Sequence, residues 1–148
     1  MGFLDFLFGG AKDPHAAIQR FEQEIQAQRD HLFGILLFAQ GVELLYSDQP
    51  DVVQMNRASF QEIMDRGRIA ISAAEVLLQE AKANPEKAKE IKRFTFPPTS
   101  GHPMIDEMTT RARILVRTYD RLFPGRPRSK ELSRTEHEAL MEAAANQL

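Results

Sequence analysis

The amino-acid sequence predicts an all-α protein: an elongated helical bundle built on a long antiparallel helix hairpin plus two further helices. Three observations predict it. Apolar residues recur at helical spacing along two long runs, no stretch shows sustained alternation of apolar and polar residues, and helix-start signals stand where the runs begin.

The first helix is expected over residues 13–46. Asp13 can accept from the free amides of a first turn, and Pro14 lacks one of those amides anyway. Ile18, Phe21, Ile25, Leu32, Ile35, Leu36, Ala39, Val42 and Tyr46 then fall on one stripe. From Leu32 to Ala39 the helix is apolar on nearly all sides, so one neighbour cannot cover it; a further helix or a second protomer must. SDQPD at 47–51 is a turn, and Pro50 opens a second helix over 50–83, with Phe60, Ile63, Gly67, Ala70, Ile71, Ala74, Leu78 and Ala81 on one face, Gly67 being read as a point of close backbone approach. So short a turn makes the pair antiparallel. At ~1.5 Å per residue each helix is ~50 Å long, hence the expectation of an elongated molecule.

Residues 85–93 read as a short solvated helix, and FTFPPTSGHP at 94–103 as a loop. A further long helix is expected over 103–123, burying Ile105, Met108, Ala112, Leu115, Tyr119 and Leu122 and ending at Phe123-Pro124-Gly125. Ser133 and Glu136 have the spacing of a capping box, which opens a last helix over 133–147. The expected organisation is an apolar docking peptide with a glycine joint over 1–12, followed by a single helical domain over 13–148.

A chain of 148 residues with 43% apolar content can bury about 68–70% of the surface its unfolded form exposes. No disulfide or metal staple is required. The absence of cysteine excludes disulfides, thiolate nucleophiles and Cys-bearing zinc sites. The start carries neither a basic n-region nor an A-x-A-like cleavage site, so the expected compartment is the cytoplasm, with peripheral contact at a membrane as the second place. The apolar stretch at 32–46 is interrupted by Gln40 and Glu43 and is shorter than the ~20 residues a membrane span needs.

The formal charge of −2 hides a division along the chain. Residues 82–134 carry thirteen basic and six acidic groups, while residues 1–50 carry three and seven. Within the basic block, Arg113, Arg117 and Arg121 recur every four residues and form a row that runs on into Arg126 and Arg128. Three readings compete: a solvated face, contact with an acidic protein surface, and phosphate contact with nucleic acid or lipid. Nucleic acid ranks last, because the chain is net acidic and no aromatics interleave with the arginines.

Catalytic and metal patterns are missing. There is no Glu-x-x-His, no His-Glu-x-x-His and no glycine-rich phosphate loop. His15, His31, His102 and His137 are scattered and read as surface or capping residues. No metal, no cofactor and no enzyme activity are expected. Glu43 and Asn56 are the polar residues inside the two apolar stripes, and antiparallel pairing about residue 49 or 50 brings them together. The pair is expected to fix register through a hydrogen bond; the competing reading is a buried Glu43 with a raised pKa, around which an enzyme or sensor could be organised.

Residues 3 to 8 hold five Phe or Leu side chains, Phe3, Leu4, Phe6, Leu7 and Phe8, followed by Gly9 and Gly10. Burying the five contributes ~7–15 kcal/mol gross. Ordering the segment costs a comparable ~1–2 kcal/mol per residue, so docking of one copy is marginal and gains from multiplicity. A groove on a partner protein or sister protomer ranks ahead of the chain's own bundle and of a membrane interface, which would want basic residues before Lys12. The sequence therefore leads to a non-enzymatic adaptor or assembly protein, with a protein partner or homo-oligomer expected. The alternatives are a nucleic-acid-associated accessory protein using the arginine row, and the enzyme or sensor built on Glu43.

Overall fold

The computed structural model describes residues 13–96 and 103–147. It is all-α. Helix α1 spans Pro14–Leu45 and α2 Pro50–Ala83; a 3-10 turn at Pro85–Lys87 leads into the short α3, Ala88–Ile91; α4 is Pro103–Leu122 and α5 Arg134–Ala145. The two long helices pack against each other as a hairpin pair, and no strand occurs among the described residues. The N-terminal peptide with its Gly9-Gly10 joint, His102 and Leu148 lie outside the described residues.

Local chemistry sets the ends. Asp13 Oδ1 accepts from the amides of His15 at 3.1 Å and Ala16 at 3.2 Å, which starts α1. Asn84 caps the 3-10 turn by accepting from the Glu86 amide at 3.2 Å, and Pro85 occupies the first position. Ser133 and Glu136 close a full capping box on α5: Glu136 N–H donates to Ser133 Oγ at 3.2 Å, and Ser133 N–H donates to Glu136 Oε1 at 3.0 Å. Gly125, after α4, takes a positive φ of 76° that permits the reversal there.

The chain divides into two compact units. The first comprises Met1–Arg29 and Gly67–Pro97. Its core is Ile18, Phe21 and Ile25 of α1 with Ile71, Ala74, Leu78 and Ala81 of α2. Ala88 and Ile91 are also buried, so the expected solvated helix at 85–93 keeps one side in the core and is broken into a turn and a single helical turn. Past it, Phe94 meets Phe21 edge-on at 5.7 Å and Phe96 stacks on Phe21 at 6.3 Å. Two cross-helix ion pairs, Arg29–Glu75 and Lys82–Glu22, lie at the surface.

The second unit comprises Asp30–Arg66 and Pro98–Leu148, and so contains the remainder of α1 and α2 with α4 and α5. Leu37, Leu115, Tyr119, Leu140 and Ala144 form its buried cluster, with Phe33, Phe38, Ile114, Phe123, Leu132 and Met141 packed around it. Here α4 and α5 cover the segment of α1 that is apolar all round. Leu122, expected inside, is 39% exposed: it is the last residue of α4, and Phe123 instead turns back onto Tyr119 with ring centres 5.3 Å apart.

Two glycines let this covering come close. A Cβ added at Gly34 would stand 2.5 Å from the carbonyl oxygen of Ala112 and 2.8 Å from its Cβ, so α1 and α4 touch almost backbone to backbone. A Cβ at Gly41 would meet Met141 Sδ at 2.5 Å. The obstacle differs: a helix backbone cannot swing aside, whereas a thioether can. Gly34→Ala should destabilise by ~1–3 kcal/mol through overpacking, less the ~1 kcal/mol alanine gains in helix propensity. Gly41→Ala should come within about 1 kcal/mol of the parent, because propensity and strain offset. Urea denaturation midpoints of the two variants check the order.

Candidate functional site

An apolar cleft lies in the second unit beside the α1–α2 turn. The turn is tight: the Tyr46 amide donates to Val42 O and the Gln49 amide to Tyr46 O, each at 2.9 Å. Val52, Met55 and Ser59 recur at i, i+3 and i+7 on α2, beside but outside the buried positions Phe60 and Met64. The result is apolar surface left in water: Met55 is 75% exposed and Leu45 57%, with Tyr46 and Val52 also exposed. Between this face and the start of α4 is a cavity of about 370 Å³ lined by Phe38, Val42, Val52, Met55, Asn56, Ser59, Phe60, Glu107, Met108 and Arg111. Phe38 and Phe60 meet inside it at 5.5 Å, and the Arg111 guanidinium sits 5.8 Å over the Phe38 ring while pairing with Glu107 at 2.6 Å. A smaller pocket of about 80 Å³ shares Phe38 and Arg111 and reaches Met141 and Ala144.

The sequence did not mark this cleft. Its signal was present, as apolar residues one position off the stripe of α2, but single exposed apolar residues are normal on a helix. Only the neighbouring α4 turns them into one wall of a cavity.

Glu43 and Asn56 do not form the expected pair. Glu43 Oε1 accepts from Arg57 Nε at 2.7 Å, and Asn56 Nδ2 donates to the Ala39 carbonyl at 3.5 Å. A guanidinium offers a carboxylate a charge-assisted bond that an amide cannot match, and Arg57 is the next residue along. Glu43 is also 32% exposed, so the buried carboxylate of the enzyme or sensor reading is not there.

The five arginines separate into two groups. Arg126 is a staple within the unit: it forks onto both carboxylate oxygens of Glu136, donates to Glu131 O at 2.9 Å and stacks 5.4 Å from the Phe123 ring. Arg128 pairs with Asp30 and, at 3.5 Å, with Asp120, and lies 4.8 Å over Phe33. Both are therefore internal ties between the 123–133 connection and its surroundings, and not part of a partner-facing row. Arg113, Arg117 and Arg121 are exposed and make no ion pair or hydrogen bond with another described residue. The row is real but three residues long.

His137 was expected at the surface or in a cap, yet it is buried. Its Nε2 faces Gln40 Oε1 at 3.2 Å, and its Nδ1 has no hydrogen-bond partner among the described residues. Burial pushes this imidazole below its ordinary pKa of 6.5. The same holds for His31, where burial leads and the charge of Arg113 adds. Thr118, also buried, donates to Ile114 O at 2.7 Å and accepts from Gln147 at 2.9 Å. Among the described residues no group of three or more His, Asp or Glu side chains is placed to hold a metal ion, and no helix is long and apolar enough to cross a membrane.

These features define an all-α helical protein with an apolar cleft and a short basic face. Compared with known proteins, the chain matches no family model, no curated protein and no solved structure.

The polar interior makes stability depend on pH. The Ser133 amide first, and then the Arg126 guanidinium, hold the Glu136 carboxyl down from 4.5 to about 2. A depressed pKa means that the folded state takes up the proton less readily than the unfolded one. The stabilisation from Glu136 is thus complete above 4.5 and is lost as pH falls toward about 2. By the same sign, His137 and His31 contribute fully above 6.5 and lose their contribution as pH falls below it. Melting temperatures followed by circular dichroism should fall in two stages on acidification, with His137→Gln flattening the first stage and Glu136→Gln the second.

Proposed function

We propose that this is a non-enzymatic helical adaptor or assembly protein, which binds a protein partner or a sister protomer through apolar surface and has peripheral membrane contact as its other docking mode. The single observation that carries the reading is the cleft of about 370 Å³ lined by exposed Val52 and Met55, beside a turn that also leaves Leu45 exposed. Apolar surface gathered in one place and rimmed by polar groups is what interaction sites offer. Its polar lining fits binding better than chemistry: Glu107 and Arg111 neutralise each other, and Asn56 is turned to a backbone carbonyl.

Magnitudes say what the partner must bring. Burying Leu45, Val52 and Met55 would yield roughly 4–9 kcal/mol gross, against an association cost of about 4–15 kcal/mol. The cleft alone does not hold a partner, so the occupant must supply large apolar side chains of its own. The N-terminal residues Phe3, Leu4, Phe6, Leu7 and Phe8 give the chain a second docking element of that kind. A cytoplasmic setting suits both elements.

Met55→Glu combined with Leu45→Glu tests the reading. Both positions are exposed, so the fold should survive with a melting temperature near the parent's. In native lysate the variant should lose the proteins that co-purify with the parent chain, as should a chain lacking residues 2–10. An unchanged set of co-purifying proteins in both would count against the adaptor.

One observation favours a second reading. Arg113, Arg117 and Arg121 stand exposed and unpaired among the described residues along α4, a spacing suited to phosphates of a nucleic acid. Replacing all three by Glu should abolish salt-sensitive retention on an RNA or DNA column if this reading holds. Removing about three phosphate contacts would lower the slope of log K against log salt by ~2–3.

A further inference from the structure

We propose that the basic segment at residues 87–93 of the first unit binds the anionic headgroups of a lipid bilayer, while the Phe and Leu side chains of residues 3–8 enter the apolar layer beneath. The inference rests on the membrane contact of the reading above and adds the surface that makes it and the charge of the lipid.

The segment is held so that its cations face water. Ala88 and Ile91, three positions apart, are both buried, and after them Phe94 and Phe96 lie against Phe21 of α1 at 5.7 and 6.3 Å. With that side fixed in the core, Lys87, Lys89, Lys92 and Arg93 are left exposed, and none makes a side-chain hydrogen bond or ion pair with another described residue. Lys82, just before them, differs, because it is paired with Glu22 at 3.1 Å. Glu86 and Glu90 are the acids of the segment, so the cations outnumber them two to one. Such a cluster gains from meeting a surface of opposite sign.

Position selects the surface. In sequence order the N-terminal peptide lacks the cations a membrane interface wants, since no Lys or Arg precedes Lys12. Folding of the first unit brings them. The register set by Arg29–Glu75 and Glu22–Lys82 puts Asn84 level with Arg20, so the segment after Asn84 runs beside the first turns of α1. Arg20 is itself exposed and without an ion pair among the described residues, a fifth cation at this end. Phe8 is joined to Asp13 by residues 9–12, which allow at most ~17 Å. Phe21, against which the segment packs, is about two helical turns from Pro14, or ~10 Å. Apolar side chains and cations can therefore meet one flat surface at once.

Each signal is weak alone. An anionic bilayer is the surface that rewards both, and two signals are what stable peripheral attachment takes. Nucleic acid fits less well, because a phosphate backbone offers five Phe and Leu side chains no dry layer. Stacking of bases also needs free rings, whereas Phe94 and Phe96 are committed to each other, at 5.0 Å, and to Phe21.

The experiment floats the full-length chain with vesicles of phosphatidylcholine, with or without about one third phosphatidylglycerol, and measures the partition constant. The expected result is retention by the anionic vesicles, weak retention by the neutral ones, and release as salt rises from ~0.1 to ~0.5 M. Changing Lys87, Lys89, Lys92 and Arg93 together to Gln should lower the partition constant by about a hundredfold, since each cation near an anionic leaflet is worth about fivefold. All four are exposed, so circular dichroism should show the parent's melting temperature. Lys92→Gln with Arg93→Gln is the companion should that variant fold poorly, with an expected loss of about tenfold or more. A chain lacking residues 2–10 should lose about tenfold or more as well.

Equal retention by neutral and anionic vesicles, or unchanged retention of the Gln variants or of the shortened chain, would overturn the proposal. So would a polyuridine oligonucleotide that binds through the same four cations while the vesicles hold nothing, which would assign the segment to nucleic acid. Loss of vesicle retention in Met55→Glu with Leu45→Glu would move the lipid to the cleft, again against the proposal. If the parent is not retained at all while that cleft variant loses its co-purifying proteins, the lipid site is refuted and the adaptor reading stands.

Discussion

The second unit depends on one constraint: from Leu32 to Ala39, α1 is apolar around its whole circumference, and no single partner helix can remove it from water. A two-helix hairpin would leave Phe33 and Leu37 in solvent, at a cost of ~1.5–3 kcal/mol for each large side chain. Helices α4 and α5 supply the missing cover through Leu115, Tyr119, Leu140 and Ala144. Contact at this distance is possible because Gly34 presents no side chain to Ala112, and Gly41 none to Met141. An uncovered apolar helix and a pair of glycines on its covered side are two aspects of one solution: the first demands close neighbours and the second admits them.

Much of this was legible from the residues. The helix ends at Asp13-Pro14, Pro50 and Ser133 are local events, decided by capping groups within four positions, and the sequence places them to within a residue or two. The need for extra cover over residues 32–39 was equally legible, since it follows from counting faces. What the sequence could not supply is the identity of partners brought together by the fold. Arg126 and Arg128 looked like a continuation of the row on α4. They became internal ties only because the connection after Gly125 turns back and presents them to Glu136, Asp30 and the rings of Phe123 and Phe33. Glu43 was placed on the correct face, but a register argument cannot distinguish Asn56 from its neighbour Arg57, and the stronger electrostatic partner prevails. Gly34 and Gly41 escaped notice because a glycine within an apolar stretch has no polar neighbour to betray which side it faces.

The interior of the second unit also holds more polarity than its composition suggests. His137 pairs with Gln40, and Thr118 with Gln147 and the backbone, leaving His137 Nδ1 without a hydrogen-bond partner among the described residues. Burial holds this imidazole below its ordinary pKa, and ionisation would place a donor proton on a nitrogen that has no partner among the described residues. The imidazole ties α5 to α1 by one hydrogen bond whose geometry, unlike apolar contact, is directional, and directional contacts of this kind select one packing among several of similar area.

The two surfaces left over differ in what maintains them. Arg113, Arg117 and Arg121 stand at like-charge spacing on α4, which costs an isolated helix about 0.2–0.5 kcal/mol per pair. Ala112, Leu115 and Tyr119 on the opposite side, all buried, outweigh that several-fold at ~1.5–3 kcal/mol for each large side chain, so the helix holds whether or not the arginines find a partner. The cleft has no such compensation within the unit. Phe38 and Phe60 are already paired there, and Met55 and Val52 gain nothing until another surface arrives. The arginine face can thus be explained as a solvated flank that packing easily tolerates, whereas the exposed wall of α2, with Val52 and Met55 in water, has no counterpart among the described residues of the unit.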